Sequence, residues 1–391
     1  MKKILFMITN MNIGGVEKSL LSLLSVIPKD KYDITLLLLE KRGALLEYIP
    51  DWVKIEEANW FEKVKPIMMQ PPQKTIKSYL RNKMYAKTHS FLSAYLISKH
   101  FDCRYSYYKH ILKEVPVNLN QYDIAISYQG PTDVIDYYIA NKVIARKKIS
   151  WVHFDVSHHY MNKRLHERIY KKFDKILIVS EEAKKRLIEK IPGIRSKSSV
   201  FQNIIEIDSI KEMSKKKVDF DSDFEGIKIV TVGRLAKEKG QDLAINVLYK
   251  LRKEGYLVKW YCIGEGKQRK EYEYLIDKYN LKHDFILLGS RTNPYPFIAK
   301  SDIYVQTSRH EGFCLTLAEA KCLCKPIVTT NFIGAFEQIE DGITGFIVGC
   351  SEEELFERVK FLIDNKKVRD NLSENLSKNQ VNQKLLNFSK I

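Results

Sequence analysis

Residues 306–345 read QTSRHEGFCLTLAEAKCLCKPIVTTNFIGAFEQIEDGITG. The apolar run Asp302-Ile303-Tyr304-Val305 leads into this stretch and gives way to a polar turn. Glu311 and Gly312 follow, and a short helix pattern runs to Glu319, with seven residues between the two glutamates. A second strand-like run, Pro326 to Thr330, comes next, then a turn at Gly334. Two glutamates at that spacing say little alone, because acids are common. Their context gives them meaning. Gly312 lets a ligand approach the backbone closely, and the helix start presents N–H groups that have no partner within the helix. An acid before an amide-lined helix start, with a second acid two turns along, suits a ligand carrying both hydroxyls and phosphates.

The same alternation of strand and helix extends outward in both directions. Ile227–Val232, Val258–Ile263, Phe285–Leu288 and Ile303–Gln306 read as strands, with a helix over Asp242–Leu251. In the first half Lys3–Ile8, Ile34–Leu39, Asp123–Ser127, Lys148–Val152 and Ile176–Val179 are strand-like. Such alternation predicts α/β architecture with parallel sheets covered on both faces. Between Ile205 and Glu225 the pattern stops, as in an interdomain linker. The expected organisation is therefore an N-terminal domain over residues 1–204, a linker over 205–225, and a C-terminal domain over 226–375. A tail over 376–391 would pack back on the N-terminal domain.

At 391 residues the chain exceeds one typical core, which fits two domains. Its 45% hydrophobic and 29% charged residues are those of a soluble globular protein. Ile4–Ile8 is a short strand followed by Asn and Gly, not a signal-peptide core, and no run reaches membrane-spanning length. Six scattered cysteines favour free thiols in a reducing compartment over a disulfide framework or a zinc site. The net charge of +17 is uneven: residues 1–200 hold 35 Lys/Arg against 20 Asp/Glu, residues 201–391 hold 30 against 28. Lys63–Lys113 is the extreme, with 11 basic residues and one acid, Asp102. That asymmetry predicts an anionic partner for the N-terminal half.

Several further residues stand where chemistry is expected. Gly14-Gly15 follows the first strand and opens a helix; it serves either close backbone approach to an anion or sugar, or simple packing. Gly233-Arg234-Leu235-Ala236-Lys237-Glu238-Lys239-Gly240 leaves the carboxyl end of a strand, where open sheets bind ligands. Arg234 as a fork and Lys239 as a point charge can converge on one diphosphate; the other reading is a solvated turn with Lys237 and Glu238 exposed. Gly264 and Gly266 end the next strand in a turn that is either nucleotide-facing or a packing device, and Arg291 lies in the loop after Leu288-Gly289-Ser290. His153 ends the strand Ile149–Val152. Asp155 beside it either orients His153 or lines an acceptor site. His158 and His159 lack a third-ligand pattern, so no metal site is read there. Asp221-Ser222-Asp223 falls in the expected linker and reads as a solvated acidic turn, so no divalent cation is implied. In the basic segment Ile76, Leu80, Met84, Phe91 and Tyr95 would form one apolar helical face beside Lys74, Lys77 and Arg81. Basic plus aromatic suits an anionic membrane surface, nucleic acid, or a solvated face.

Taken together, Asn12-Ile13-Gly14-Gly15-Val16-Glu17, Gly233–Gly240 and the Glu311…Glu319 block resemble family-4 retaining glycosyltransferases of the bacterial surface-polysaccharide type. The resemblance covers nearly the whole chain, with its specific motifs in the second half. It implies the GT-B fold, two Rossmann-like parallel-sheet domains facing across a cleft. It implies a metal-independent, retaining hexosyltransferase with no cofactor, using a nucleotide sugar, UDP-linked, as donor substrate. Transfer would be front-side, through a transition state of oxocarbenium character, with a donor diphosphate oxygen taking the acceptor proton. On this reading Arg234 and Lys239 neutralise the leaving diphosphate, His153 meets the donor sugar, and Glu311 holds its hydroxyls. The amides near Gly312, Phe313, Cys314 and Leu315 assist, Glu319 binds the ribose, and Gly14, Gly15, Gly264, Gly266 and Arg291 complete the donor side. The acceptor would be a lipid-linked saccharide or glycan, with Lys74, Lys77 and Arg81 at the acceptor or membrane. The expected setting is cytoplasmic, peripheral on the inner face of the cell membrane. The rivals are another GT-B enzyme, such as a nucleotide-sugar epimerase or a phosphorylase, and a basic nucleic-acid-binding protein. The Arg…Lys and Glu…Glu pairings favour transfer over epimerisation, no lysine sits in a pyridoxal-phosphate context, and nucleic-acid binding leaves the anion-ready second half unexplained.

Overall fold

The longest apolar runs lie at the centres of two parallel sheets, where helices on both faces leave neither side to water. The computed structural model describes residues 1–102, 104–154, 156 and 161–378. The first sheet contains β1 (Lys2–Ile8), β2 (Tyr32–Leu38), β3 (Lys54–Glu57), β4 (Asn118–Gly130), β5 (Val143–Val152), β6 (Lys175–Ile178) and β7 (Ser198–Val200). They lie in the order β3-β2-β1-β4-β5-β6-β7, all parallel. The second contains β8 (Ile227–Val232), β9 (Val258–Ile263), β10 (Phe285–Gly289), β11 (Ile303–Gln306), β12 (Ile327–Thr330) and β13 (Phe346–Val348). Their order is β10-β9-β8-β11-β12-β13, again parallel. Each sheet thus begins at its centre, winds outward, and reverses beside its first strand. That reversal opens a crevice at the strands' carboxyl ends. In the second sheet the crevice lies between β8 and β11, where Ile303 pairs with Ile229.

The chain divides into two compact units. One comprises Met1–Asn12 and Leu23–Gln202; the other comprises Ile13–Ser22 and Asn203–Ile391. The helix Gly15–Val26 is therefore shared, its first two turns grouping with the second unit. Ser19 Oγ donates to Asn203 Oδ1 at 2.7 Å, buried, and secures it there.

Two segments differ from the sequence reading. The stretch read as a linker contains a helix, Ile207–Ser214, and Ile210 is buried in the second unit's core. Two turns of helix give too few apolar repeats to stand out. Residues 376–378 end the helix Lys366–Lys378, whose Leu372 and Leu376 are buried in the second unit's core clusters. Residues 379–391 lie outside the described residues. The basic segment is not one helical face. It is two helices, Pro72–Arg81 and Tyr85–His100, broken at Lys83, whose φ is 55°. Phe91 turns inward, only 1% exposed, against Tyr79 and Tyr107, whereas Tyr85, Leu92 and Leu96 form an outer stripe at 66%, 37% and 53% exposure.

Candidate functional site

The turn after β8 and the loop after β11 meet over the crevice of the second sheet. A short 3₁₀ turn, Lys237–Lys239, ends at Gly240, whose φ of 68° favours glycine. A side chain there would strike Thr307 O at 2.1 Å, so the two segments touch backbone to backbone. Across this contact Lys239 Nζ donates to Glu311 Oε1. Burial pulls the Lys239 ammonium down, but the Glu311 carboxylate overcomes it and leaves its pKa raised, so the lysine stays charged. Glu311 Oε1 also accepts from Ser308 Oγ at 2.8 Å. Gln306 Nε2 donates to Ser308 Oγ at 2.8 Å, and Gln306 Oε1 accepts from Tyr304 OH at 2.6 Å. A buried polar chain running up β11 therefore aims Glu311. Arg309 locks the loop from outside, forking onto Asp242 at 2.8 and 2.6 Å while its backbone N–H reaches Glu238 O at 2.8 Å.

Arg234 stands at the edge of this cluster. Its side chain is 66% exposed and pairs with Glu238 at 2.6 Å. Its charge acts on both Lys239 and Glu17. Glu17 comes from the Gly14-Gly15 segment and is buried. Burial pushes its carboxyl up to about 7, opposed by a backbone hydrogen bond and by Arg234. A β-carbon on Gly14 would fall 2.3 Å from Glu17 Oε2, and one on Gly15 would touch Leu315 at 3.8 Å. Gly15 thus lies in contact range of the residue that opens the helix after the Glu311 loop, while Gly14 packs on Glu17 of its own segment.

The helix Leu315–Cys322 begins behind that loop. Gly312 lies in the bend before it, and Cys314 takes the left-handed conformation at φ 67°. The segment is held there by Gln338, which donates to Phe313 O, and by Gly334, where a β-carbon would meet Phe313 O at 2.7 Å. Cys314 is buried with its thiol pKa raised, so it is an inert thiol. Glu319, one turn into the helix, is 3% exposed. Its Oε1 accepts from Lys18 Nζ at 3.2 Å and from Tyr295 OH at 3.0 Å, while buried Oε2 has no partner.

The remaining candidates divide. Gly264, at φ 154°, and Gly266 would place β-carbons 2.0 Å from Gly233 O and 2.2 Å from Leu235 O. Both are glycine because the turn after β9 lies flat on the Arg234 turn, which makes the packing reading sufficient. Arg291 is exposed after β10. His153 belongs to the first unit, at the carboxyl end of β5. Its ring stacks on Trp151 at 6.0 Å, its Nε2 is enclosed without a partner, and burial lowers its pKa to about 3, so it is a neutral imidazole. Asp155, His158 and His159 lie outside the described residues. Lys74, Lys77 and Arg81 are exposed. Asp221 is not a free solvated turn: it accepts from Lys259 Nζ at 2.5 Å and Tyr261 OH at 2.6 Å.

Lys18, Tyr295, Ser308, Arg309 and Gln338 escaped the sequence reading. Ser308 and Arg309 adjoin the motif and are findable by position; Lys18 and Tyr295 are distant in sequence and carry no local signal.

Comparison with known proteins fits this geometry. The profile of the family Glycosyl transferases group 1 matches residues 212–379. A Campylobacter jejuni protein, N-acetylgalactosamine-N,N'-diacetylbacillosaminyl-diphospho-undecaprenol 4-alpha-N-acetylgalactosaminyltransferase, is 30% identical over 211 residues, covering 54% of this chain and 56% of that protein. Among solved structures, Anabaena HepE in complex with UDP-glucose superposes with a TM-score of 0.68 at 19% identity, covering 96% and 93% of the two chains. Staphylococcus aureus TarM gives 0.69 at 14%, covering 97% and 96%. The chain spans 41% and 56% of the length of the first curated relatives it matches. The fold is that of the GT-B glycosyltransferases.

Proposed function

We propose that this protein is a retaining glycosyltransferase that moves a hexosyl unit from a UDP-linked sugar to a lipid-linked or polysaccharide acceptor. The observation that carries the reading is the Lys239–Glu311 pair at the β8–β11 crevice, beside a buried Glu319 carboxylate with one oxygen unpartnered. Lys239 and Arg234 stabilise the charge that develops on the departing diphosphate, in a site whose polar groups are already oriented. Glu311, fixed by Lys239 and Ser308, accepts from hydroxyls of the donor sugar. Glu319 Oε2 accepts from the ribose. Gly312, Phe313, Cys314 and Leu315 supply backbone amides at the helix start. Neutral His153 meets the donor sugar as a hydrogen-bonding ring without adding charge. UDP and UDP-glucose in the HepE structures, and the lipid-linked acceptor in the name of the Campylobacter jejuni relative, support the choice of donor and acceptor class. Neither cofactor nor metal is required on this reading.

Among the described residues no helix is long and apolar enough to cross a membrane. The outer stripe Tyr85, Leu92 and Leu96 beside exposed Lys74, Lys77 and Arg81 supports peripheral docking on an anionic membrane, where such acceptors reside.

The test is turnover of a nucleotide-sugar panel by the full chain, with and without EDTA, and proton NMR of the fresh product. A UDP-linked α-donor should give an α-glycoside, and EDTA should leave the rate unchanged. A β-linked product overturns the retaining mechanism; strict metal dependence overturns the rest of the chemistry.

A further inference from the structure

Glu319 is a buried carboxylate used on one side only. Its Oε1 takes two donors, Lys18 Nζ at 3.2 Å and Tyr295 OH at 3.0 Å; its Oε2 takes none, although it is out of reach of water. A buried acceptor left unmade is costly, so Oε2 is built for a donor that arrives with a ligand. The chemistry of that donor follows from the charges. Lys18 already matches the carboxylate, and its ammonium also lies 5.0 Å over the Tyr295 ring. A second cation would leave unpaired positive charge in a buried place. A neutral hydroxyl donor leaves none. Burial, with Glu319 beside it, pushes the Tyr295 phenol pKa up, so that group remains a proton donor and does not compete for the ligand's hydrogen.

Lys18 reaches Glu319 from the far end of the sequence. The first two turns of its helix are held to the second unit by Ser19 on Asn203 and by Gly15 against Leu315, the residue that starts the Glu319 helix. We propose that Lys18 is a positioning residue of the nucleotide site: with Tyr295 it occupies Oε1 of Glu319 and so turns Oε2 toward the vicinal hydroxyls of the ribose. This rests on reading Glu319 as the ribose ligand. It adds a specific job for a residue of the first helix and makes recognition of the nucleotide's diol depend on it.

The test compares binding of UDP and of 2′,3′-dideoxyuridine 5′-diphosphate to the full chain by calorimetry, with melting temperature followed for each variant. A site built to hydrogen-bond a hydroxyl rejects the analogue that lacks it. Wild type should prefer UDP by on the order of 10²-fold. Glu319→Gln should erase most of that preference. Lys18→Met should lower it by about tenfold while leaving affinity for the dideoxy compound near wild type, and Lys18→Arg should restore it. Lys18→Gln, which removes the charge but keeps an N–H donor, serves if the Met variant does not fold and should show a loss no larger than that expected for Lys18→Met. If Glu319→Gln keeps the preference, the ribose reading fails and the Lys18 assignment with it. If Glu319→Gln loses the preference while Lys18→Met, or Lys18→Gln in its place, keeps it in full, Lys18 has no positioning role and the ribose reading stands. Equal weakening of both ligands with a lowered melting temperature makes Lys18 merely structural and also overturns the proposal.

Discussion

Lys239 and Glu311 are separated by 72 residues and share one hydrogen bond. Each is the other's counter-charge in a half-buried place, so removing one leaves the other uncompensated. Glu311→Ala and Lys239→Ala should each lower kcat/KM by on the order of 10²-fold, as loss of one preorganised contact does. Groups that act as a unit are not additive. The double variant should therefore lie close to the singles, measured by nucleotide release; a product of the two losses would show independent roles. Glu17 offers a second prediction, on stability. Its carboxyl is raised from 4.5 to about 7. Between those values the folded chain holds a proton that the unfolded chain has lost, so stability falls as pH rises through that window. Glu17→Gln should thus raise the melting temperature at pH 8 and change it little at pH 4.5. An equal shift at both pH values would mean the carboxyl is not raised. At this scale the motif residues were legible because turn glycines and paired charges are unusual in combination. The Gln306–Ser308 support was not, because polar residues at a strand end look the same whether they face water or hold an acid.

Strands were legible in proportion to their burial. Central β1, β8 and β11 bury both faces and read as apolar runs. The edge strands β3 (KIEE) and β7 (SSV) are only partly buried, so no apolar run marks them. The same physics hid the strap formed by Asp221. It sits at φ 46°, binds Lys259 and Tyr261 of β9 through its carboxylate, and accepts from Lys228 of β8 through its backbone oxygen at 2.7 Å. Its carboxyl pKa is lowered, first by Lys259 and then by Tyr261. The sequence reading implies that Asp221→Ala leaves turnover near neutral; the structure adds a loss of stability. Removing two hydrogen bonds to a partly exposed charge should cost about 1–2 kcal/mol. Asp221→Asn, which tolerates the left-handed backbone and can still accept from Tyr261, should cost less. Scanning fluorimetry reads both. Activity below the transition should match wild type with EDTA present; a stable but inactive Asp221→Ala variant rescued by manganese would contradict the structural role.

On the scale of the whole chain, charge and exposed apolar surface coincide. The first 200 residues carry 35 basic against 20 acidic groups, and the densest part, Lys63–Lys113, holds the outer stripe Tyr85, Leu92 and Leu96. Composition revealed the charge. It could not reveal which side of the helix faces out, because Phe91 and Leu92 are equally apolar and only packing assigns one inward. The two features act differently on a membrane. Each basic side chain near an anionic surface contributes about 1 kcal/mol, and exposed charges are screened within about 10 Å at 0.1 M salt. Inserted apolar side chains contribute in proportion to buried area and are not weakened by salt. The full chain should therefore bind vesicles containing phosphatidylserine reversibly, and more weakly as salt rises. Replacing Lys74, Lys77 and Arg81 with Glu should abolish binding at low salt. Leu92→Ser with Leu96→Ser should weaken it while preserving its salt dependence. None of these residues belongs to the Lys239–Glu311 cluster, so UDP affinity should stay at the wild-type value in both variants. Cosedimentation at several salt concentrations separates the two contributions. If wild type ignores such vesicles at low salt, docking is excluded and the basic segment serves a soluble acceptor or only solvation.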